Sequence, residues 1–232
     1  MIRIFQRHCN YRGYPENKGR PGWFDRERIF DSLMESLDER VEYTAIHDSG
    51  RGVIEDHFLN NKNVTKFSML GGSDSKSLLN MFNYISEQNY ADDDIIYLVE
   101  DDYLHKPGWI DVMLEGFDYI GADYYTLYDH PDKYYLPMYE NLQSKLIITK
   151  SVHWRTTPST CNTYAAKWKT FKKHWDKHHI YWCKSENTHD GYDHTKFLKL
   201  WEEGSNLVSC IPGYATHVET NMLSPLTDWS IL

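Results

Sequence analysis

Asp94-Ile95-Ile96-Tyr97-Leu98-Val99 runs almost without a polar break into three consecutive carboxylates, Glu100, Asp101 and Asp102. A short apolar run that does not alternate with polar residues marks a strand buried on both faces of a parallel sheet. Such a strand needs helices on each side, so it points to an α/β fold. The acids at its end need a neutralising partner. Two like charges about 4 Å apart repel by about 4 kcal/mol at an effective dielectric near 20. Glu100 and Asp102 are two residues apart, so extended backbone points them the same way and Asp101 elsewhere. Oxygen donors of this kind suit Mg²⁺ or Mn²⁺. The plainer alternative is that the acids cap the following turn or lie on a solvated rim. Asp92-Asp93-Asp94 precedes the strand, at the opposite edge of the sheet, and is expected to be a solvated turn.

Further strands are expected at 2–5, 41–46, 64–70, 146–149, 152–155 and 207–211. Helical spacing of apolar residues predicts helices over 24–37, 73–88, 109–117, 164–175 and 195–201. Ser73 or Asp74 caps the second of these, and Pro107 precedes the third. The segments 7–22 and 123–139 read as long loops. The first half thus alternates strand and helix, the order of a Rossmann-like, mostly parallel sheet with right-handed crossovers. Ligands of such sheets bind beyond the carboxyl ends of the strands. Asp48, Gly71-Gly72 and Glu100 to Asp102 all fall at such ends. The 232 residues are expected to form one domain. Residues 1–118 make its first half, and 119–232 a smaller, mixed second half.

The formal charge of −9 and the lack of a basic run argue against nucleic acid as the main partner. The four cysteines are widely spaced, which suits free thiols in a reducing compartment. The N-terminus lacks an apolar signal core, and no apolar run approaches the ~20 residues of a membrane span. The expectation is a cytoplasmic protein that can still touch a membrane peripherally. His174 and His178, one helical turn apart, have a spacing known from zinc sites. The glutamate of that motif is missing, and Lys177 disfavours a cation there.

The segment IIYLVEDDYLHKPGW resembles the strand and acidic motif of GT-A glycosyltransferases, in particular family-two-like members of the nucleotide-diphospho-sugar transferase superfamily. AIHDSG, LGGSDSKSLLNMFNYI, DGYDHTKFLKLWEEG and CIPGYATHVET follow the same group in order along the chain. Two departures stand out. The acids read EDD rather than DxD, and the later helix opens with GYD where the family often has ED.

The resemblance implies a GT-A fold and transfer of a sugar from a UDP- or GDP-sugar to a glycan or other hydroxyl acceptor, with inversion. Mn²⁺ or Mg²⁺ would be held by Asp102, by Glu100 directly or through water, and by His217. The catalytic base would be Asp193 or Asp190. The spacing from Asp193 to Gly204 matches the family and favours the former, although either acid can also cap the helix. Asp48 would meet the nucleoside, with Gly71 and Gly72 in the small-residue loop. Asp101, Arg7, Lys76 and Arg155 are further candidates for the donor, and Arg51 for its diphosphate. Trp109 and Trp154 could stack on sugar, though core packing is the commoner fate of such residues. Three rival functions remain open: a sugar nucleotidyltransferase, a glycoside hydrolase using paired carboxylates, and a non-catalytic glycan- or nucleotide-binding module.

Overall fold

The computed structural model describes residues 1–9, 19–50, 55–178 and 192–232. Its strands are β1 (Ile2–Cys9), β2 (Val41–Asp48), β3 (Thr65–Met69), β4 (Ile95–Glu100), β5 (Tyr103–His105), β6 (Tyr124–Thr126), β7 (Leu146–Ile148), β8 (His153–Thr156), β9 (Tyr164–Lys167), β10 (Leu207–Ile211) and β11 (Ala215–His217). The helices are α1 (Arg26–Glu35), α2 (Asp74–Ser86), α3 (Trp109–Tyr119), α4 (Asp132–Tyr135), α5 (Trp168–Lys173) and α6 (Tyr192–Glu202). Among the described residues, nine strands form one sheet in the order β3-β2-β1-β4-β9-β6-β10-β8-β7, and β5 pairs with β11 apart from it. The β3-β2-β1-β4 half is parallel. The far half is mixed: β9 runs antiparallel between β4 and β6, and β6 and β10 run parallel.

The apolar run works as its sequence implies. Ile95, Tyr97 and Val99 of β4 join one core cluster with Trp109, Ile110 and Met113 of α3 and Leu33 of α1. Ile96 and Leu98 join a second cluster on the other face, with Leu78, Met81, Phe82 and Ile85 of α2 and Phe197 of α6. Burying each such side chain stabilises the fold by about 1.5–3 kcal/mol, enough to fix the strand between its layers. Asp25 caps α1 through Arg28 N at 3.1 Å, and Ser73, not Asp74, caps α2 through Lys76 N at 3.3 Å.

Two expectations about elements are corrected. The helix expected over 164–175 begins only at Trp168, and Tyr164–Lys167 is a strand. Alanine favours helix in isolation, but Ala165 and Ala166 fill a narrow slot between β4 and β6, where sheet pairing prevails. The loop expected over 123–139 contains β6 and α4, because Tyr124 and Tyr125 are buried against β9. Trp109 and Trp154 are fully buried in the core and offer no ring to a sugar. Asp92 and Asp93 are exposed, as a solvated turn requires, while Asp94 is buried and paired with Arg3.

Candidate functional site

Parallel pairing brings the polar strand ends to one edge. Arg7 lies opposite Glu100, and Cys9 opposite Asp48. Each carboxylate after β4 then meets an arginine of its own. Arg7 Nη2 reaches Glu100 at 2.7 Å, and its Nη1 reaches Asp74, the first residue of α2, also at 2.7 Å. Arg26 of α1 approaches Asp101 at 3.5 Å, and Arg20 reaches Asp102 at 2.7 Å. Arg20 and Arg26 both lie over the ring of Phe24, 4.4 and 5.1 Å from its centre, a cation–π contact that helps aim them. Burial pushes the carboxyls of Glu100 and Asp101 up, against the pull of Arg7 and Arg26 and with the help of the Asp102 charge. Asp74 and Glu100 hold Arg7 protonated although burial works against its charge.

His217 arrives through the β5–β11 ribbon, in which it is the register partner of Tyr103. Its ring stacks on Tyr103, and its Nε2 lies 3.0 Å from Asp102 Oδ2. Val218 N donates to the Asp102 carbonyl at 2.9 Å, which locks the ribbon to the strand end. Asp102 and His217 are therefore close enough to ligate one ion. Glu100 is near enough to feel both charges, but its carboxylate is held by Arg7. Among the described residues, no group of three or more His, Cys, Asp or Glu gathers at metal-holding distance. One carboxylate and one imidazole fit a divalent cation that takes its other ligands from substrate phosphates and water. The fit therefore extends to two protein donors, and Arg20 shares the same Asp102 oxygen.

Asp48 is fully buried, and its Oδ1 accepts from Gly50 N and Gly71 N at 2.9 Å and from Gly72 N at 3.3 Å. Its Oδ2 has no hydrogen-bond partner among the described residues. A Cβ on Gly71 would fall 2.5 Å from Asp48 Oδ2 and 2.9 Å from the Ser77 backbone, so only glycine lets the loop close on this carboxylate. Gly72 has φ +73°, a left-handed conformation that favours glycine. Asp48 thus joins the loops after β2 and β3, a structural task that its position at a strand end does not reveal.

Asp193 sits in the first turn of α6, about a quarter exposed, with Lys196 Nζ 3.9 Å away. Burial raises its carboxyl to about 7, Lys196 and Arg7 oppose the rise, and Glu100 and Asp74 add to it. The shared field with Glu100, Asp74 and Arg7 places Asp193 in the same polar region as the strand ends. Asp190 and Arg51 lie outside the described residues. Lys76 is exposed on the first turn of α2. Arg155 belongs to a different cluster: its Nη2 reaches the buried Asp129 at 2.6 Å, and its guanidinium lies over Tyr134. His174 and His178 bind tyrosines: His178 touches Tyr124 OH and Tyr164 OH, each at 3.0 Å, and His174 touches Tyr124 OH at 2.8 Å.

Sequence reasoning passed over Arg20, Arg26, Asp74 and Lys196. The arginines gave no signal, because Arg20 and Asp102 are 82 positions apart and only the fold joins them. Lys196 did give one, the i,i+3 spacing from Asp193.

No protein-family model matches the sequence, and no curated protein is detectably similar to it. Solved structures do match. Residues 1–349 of Staphylococcus aureus TarS, a GT-A glycosyltransferase, superpose with a TM-score of 0.56 at 10% identity, over 92% of this chain and 59% of that one. A longer TarS structure gives 0.52 at 10% identity, over 92% of this chain and 36% of that one. A Methanothermobacter nucleotidyl transferase overlays with a TM-score of 0.46 at 14% identity, over 91% of this chain and 88% of that one. This chain spans 59% of the length of the TarS fragment that it matches. A mostly parallel sheet between helices, with acids where its central strand ends, and the superposition on TarS together give this chain the Rossmann-like GT-A fold.

Proposed function

We propose that this chain is a glycosyltransferase that moves a sugar from a nucleotide-diphosphate sugar, a UDP- or GDP-sugar, to a hydroxyl of a glycan acceptor, with inversion. One observation carries the reading. A largely buried carboxylate with a raised pKa, Asp193, shares one polar edge with gathered acids and arginines in a sheet that superposes on TarS. A base for the acceptor hydroxyl and a cradle for a diphosphate are the two requirements of such a transfer.

Each residue then has a task. Arg7, Arg20 and Arg26 offer guanidinium groups to the donor's phosphates, which planar N–H forks suit. Asp102 and His217 would hold Mn²⁺ or Mg²⁺, which supplies positive charge to offset that of the departing nucleoside diphosphate. Glu100 and Asp101 keep Arg7 and Arg26 oriented. Asp193 takes the acceptor proton, and attack from its side displaces the nucleotide directly and inverts the anomeric carbon. The Gly71-Gly72 loop brings backbone close to the donor. Among the described residues no helix is long and apolar enough to cross a membrane. We place the reaction in the cytoplasm, where nucleotide-sugars are at hand.

A thermal-shift screen of nucleoside diphosphates and nucleotide-sugars, with and without Mn²⁺, tests the reading. A ligand at a hundred times its dissociation constant stabilises by about 2.7 kcal/mol, roughly 5–10 °C for a chain of this size. At least one nucleotide should raise the midpoint, and Mn²⁺ should enlarge the shift. Silence across the panel would remove the donor from the proposal. Pyrophosphate release from a nucleoside triphosphate and a sugar 1-phosphate would replace it with nucleotidyl transfer.

A further inference from the structure

Lys196 is a buried lysine on α6, and its side chain is fully enclosed. An ammonium group at such depth needs partners. Its Nζ donates to Tyr164 OH at 3.2 Å and Asn162 Oδ1 at 3.4 Å, and it lies 4.4 Å from the centre of the Tyr164 ring. The contacts continue inward. Tyr164 OH meets His178 Nδ1 at 3.0 Å, and His178 Nε2 meets Tyr124 OH at 3.0 Å. Tyr124 OH then meets His174 Nδ1 at 2.8 Å, and His174 Nε2 meets Ser205 Oγ at 3.4 Å.

Lysine only donates, and one choice of imidazole tautomers lets every bond that follows run the same way. Tyr164 oxygen accepts from Lys196, so its O–H donates to His178 Nδ1. His178 Nε2–H donates to Tyr124, whose O–H donates to His174 Nδ1, and His174 Nε2–H donates to Ser205. Both imidazoles must be neutral for the chain to hold. Burial lowers the pKa of each, which agrees with that requirement.

We propose that Lys196 is the positioning residue of Asp193: a one-way hydrogen-bond chain through Tyr164, His178, Tyr124 and His174 fixes its ammonium group beside the Asp193 carboxylate and keeps that carboxylate ionised for the acceptor proton. The assignment rests on Asp193 being the base of the proposed transfer. Lys196 need not touch the substrate; it acts through its neighbour. The other groups whose charge reaches Asp193 are Glu100 at the end of β4, Asp74 on α2 and Arg7 on β1, and Cys161 ahead of β9 feels the Asp193 charge in turn. Glu100 and Asp74 oppose the ionisation of Asp193 and Arg7 favours it, while burial keeps the Cys161 thiol neutral. Burial also works against the Lys196 charge, which Asp193, Glu100 and Cys161 support and Arg7 opposes.

The test is a pH titration of the Asp193 carboxyl by ¹³C NMR on the full chain with carboxyl-labelled aspartate, its signal assigned by loss in D193N. An opposite charge at this range moves a carboxyl by about 1–3 units. Lys196→Met should therefore raise the midpoint by about that much, Lys196→Arg should bring it back towards wild type, and Tyr164→Phe, which loosens the ammonium, should raise it by less. If Lys196→Met fails to fold, the other two variants carry the comparison. In a transfer assay the acid limb of kcat/KM should move with the midpoint. A lysine that merely fills space would cut activity without moving either, and a midpoint unmoved in Lys196→Met would overturn the assignment, as would one that Lys196→Arg fails to restore. A midpoint that moves in a protein that transfers no sugar would leave the pairing standing and remove the transferase reading.

Discussion

Asp193 has a carboxyl raised to about 7, close to the pH at which a general base must both be ionised and still attract a proton. Its folded pKa lies above its unfolded value, so the folded state binds the extra proton. Stability linked to Asp193 is therefore present at low pH and is lost as pH rises from about 4 towards 7. Activity runs the other way and should climb through about pH 7. Asp193→Asn should cost about 10²–10⁴ in kcat while unfolding at the same temperature as wild type, or higher, at pH 8. A variant that loses activity and stability together would show Asp193 to be a structural residue. At this scale the sequence pointed to Glu100, Asp101 and Asp102 by their identity and their place at a strand end, and to His217 only through the family resemblance. It hid Arg26 and Arg20, the latter 82 positions from its partner Asp102, and it disguised Asp48, whose position suggests a ligand while its Oδ1 bonds to three backbone amides.

Elements were legible where periodicity and burial agree. The helices α1, α2 and α3 show clear apolar spacing, and β4 is buried on both faces. The segment from Tyr164 to Lys167 was misread because alanine and lysine favour helix locally, whereas the slot between two strands decides the outcome. Close packing elsewhere can be tested in the same terms. A Cβ on Gly116 of α3 would lie 2.8 Å from the buried ring of Trp154. Overpacking of this kind costs about 1–3 kcal/mol, while alanine for glycine inside a helix returns roughly 1. Gly116→Ala should therefore lower the urea midpoint; a higher midpoint would mean that Trp154 can move aside.

At the scale of the molecule, the two halves are stitched by β9, which belongs to the second half and pairs with β4 of the first. Core clusters draw on both halves as well, with Phe197 of α6 beside Leu78 of α2. Urea unfolding should therefore be one transition, with tryptophan fluorescence and far-UV circular dichroism tracing the same curve. Two separated curves would mean that one half holds together alone. The mixed order of the second half was not legible in the sequence, because its strands are short and owe their pairing to distant partners.

The three arginine–carboxylate pairs at the end of β4 give the resting protein an internal salt. On the proposed function, an arriving diphosphate would draw on guanidinium groups already gathered at one edge, and a cation would meet His217 and the Asp102 that Arg20 gives up. Binding would then re-pair charges that the fold already balances within itself.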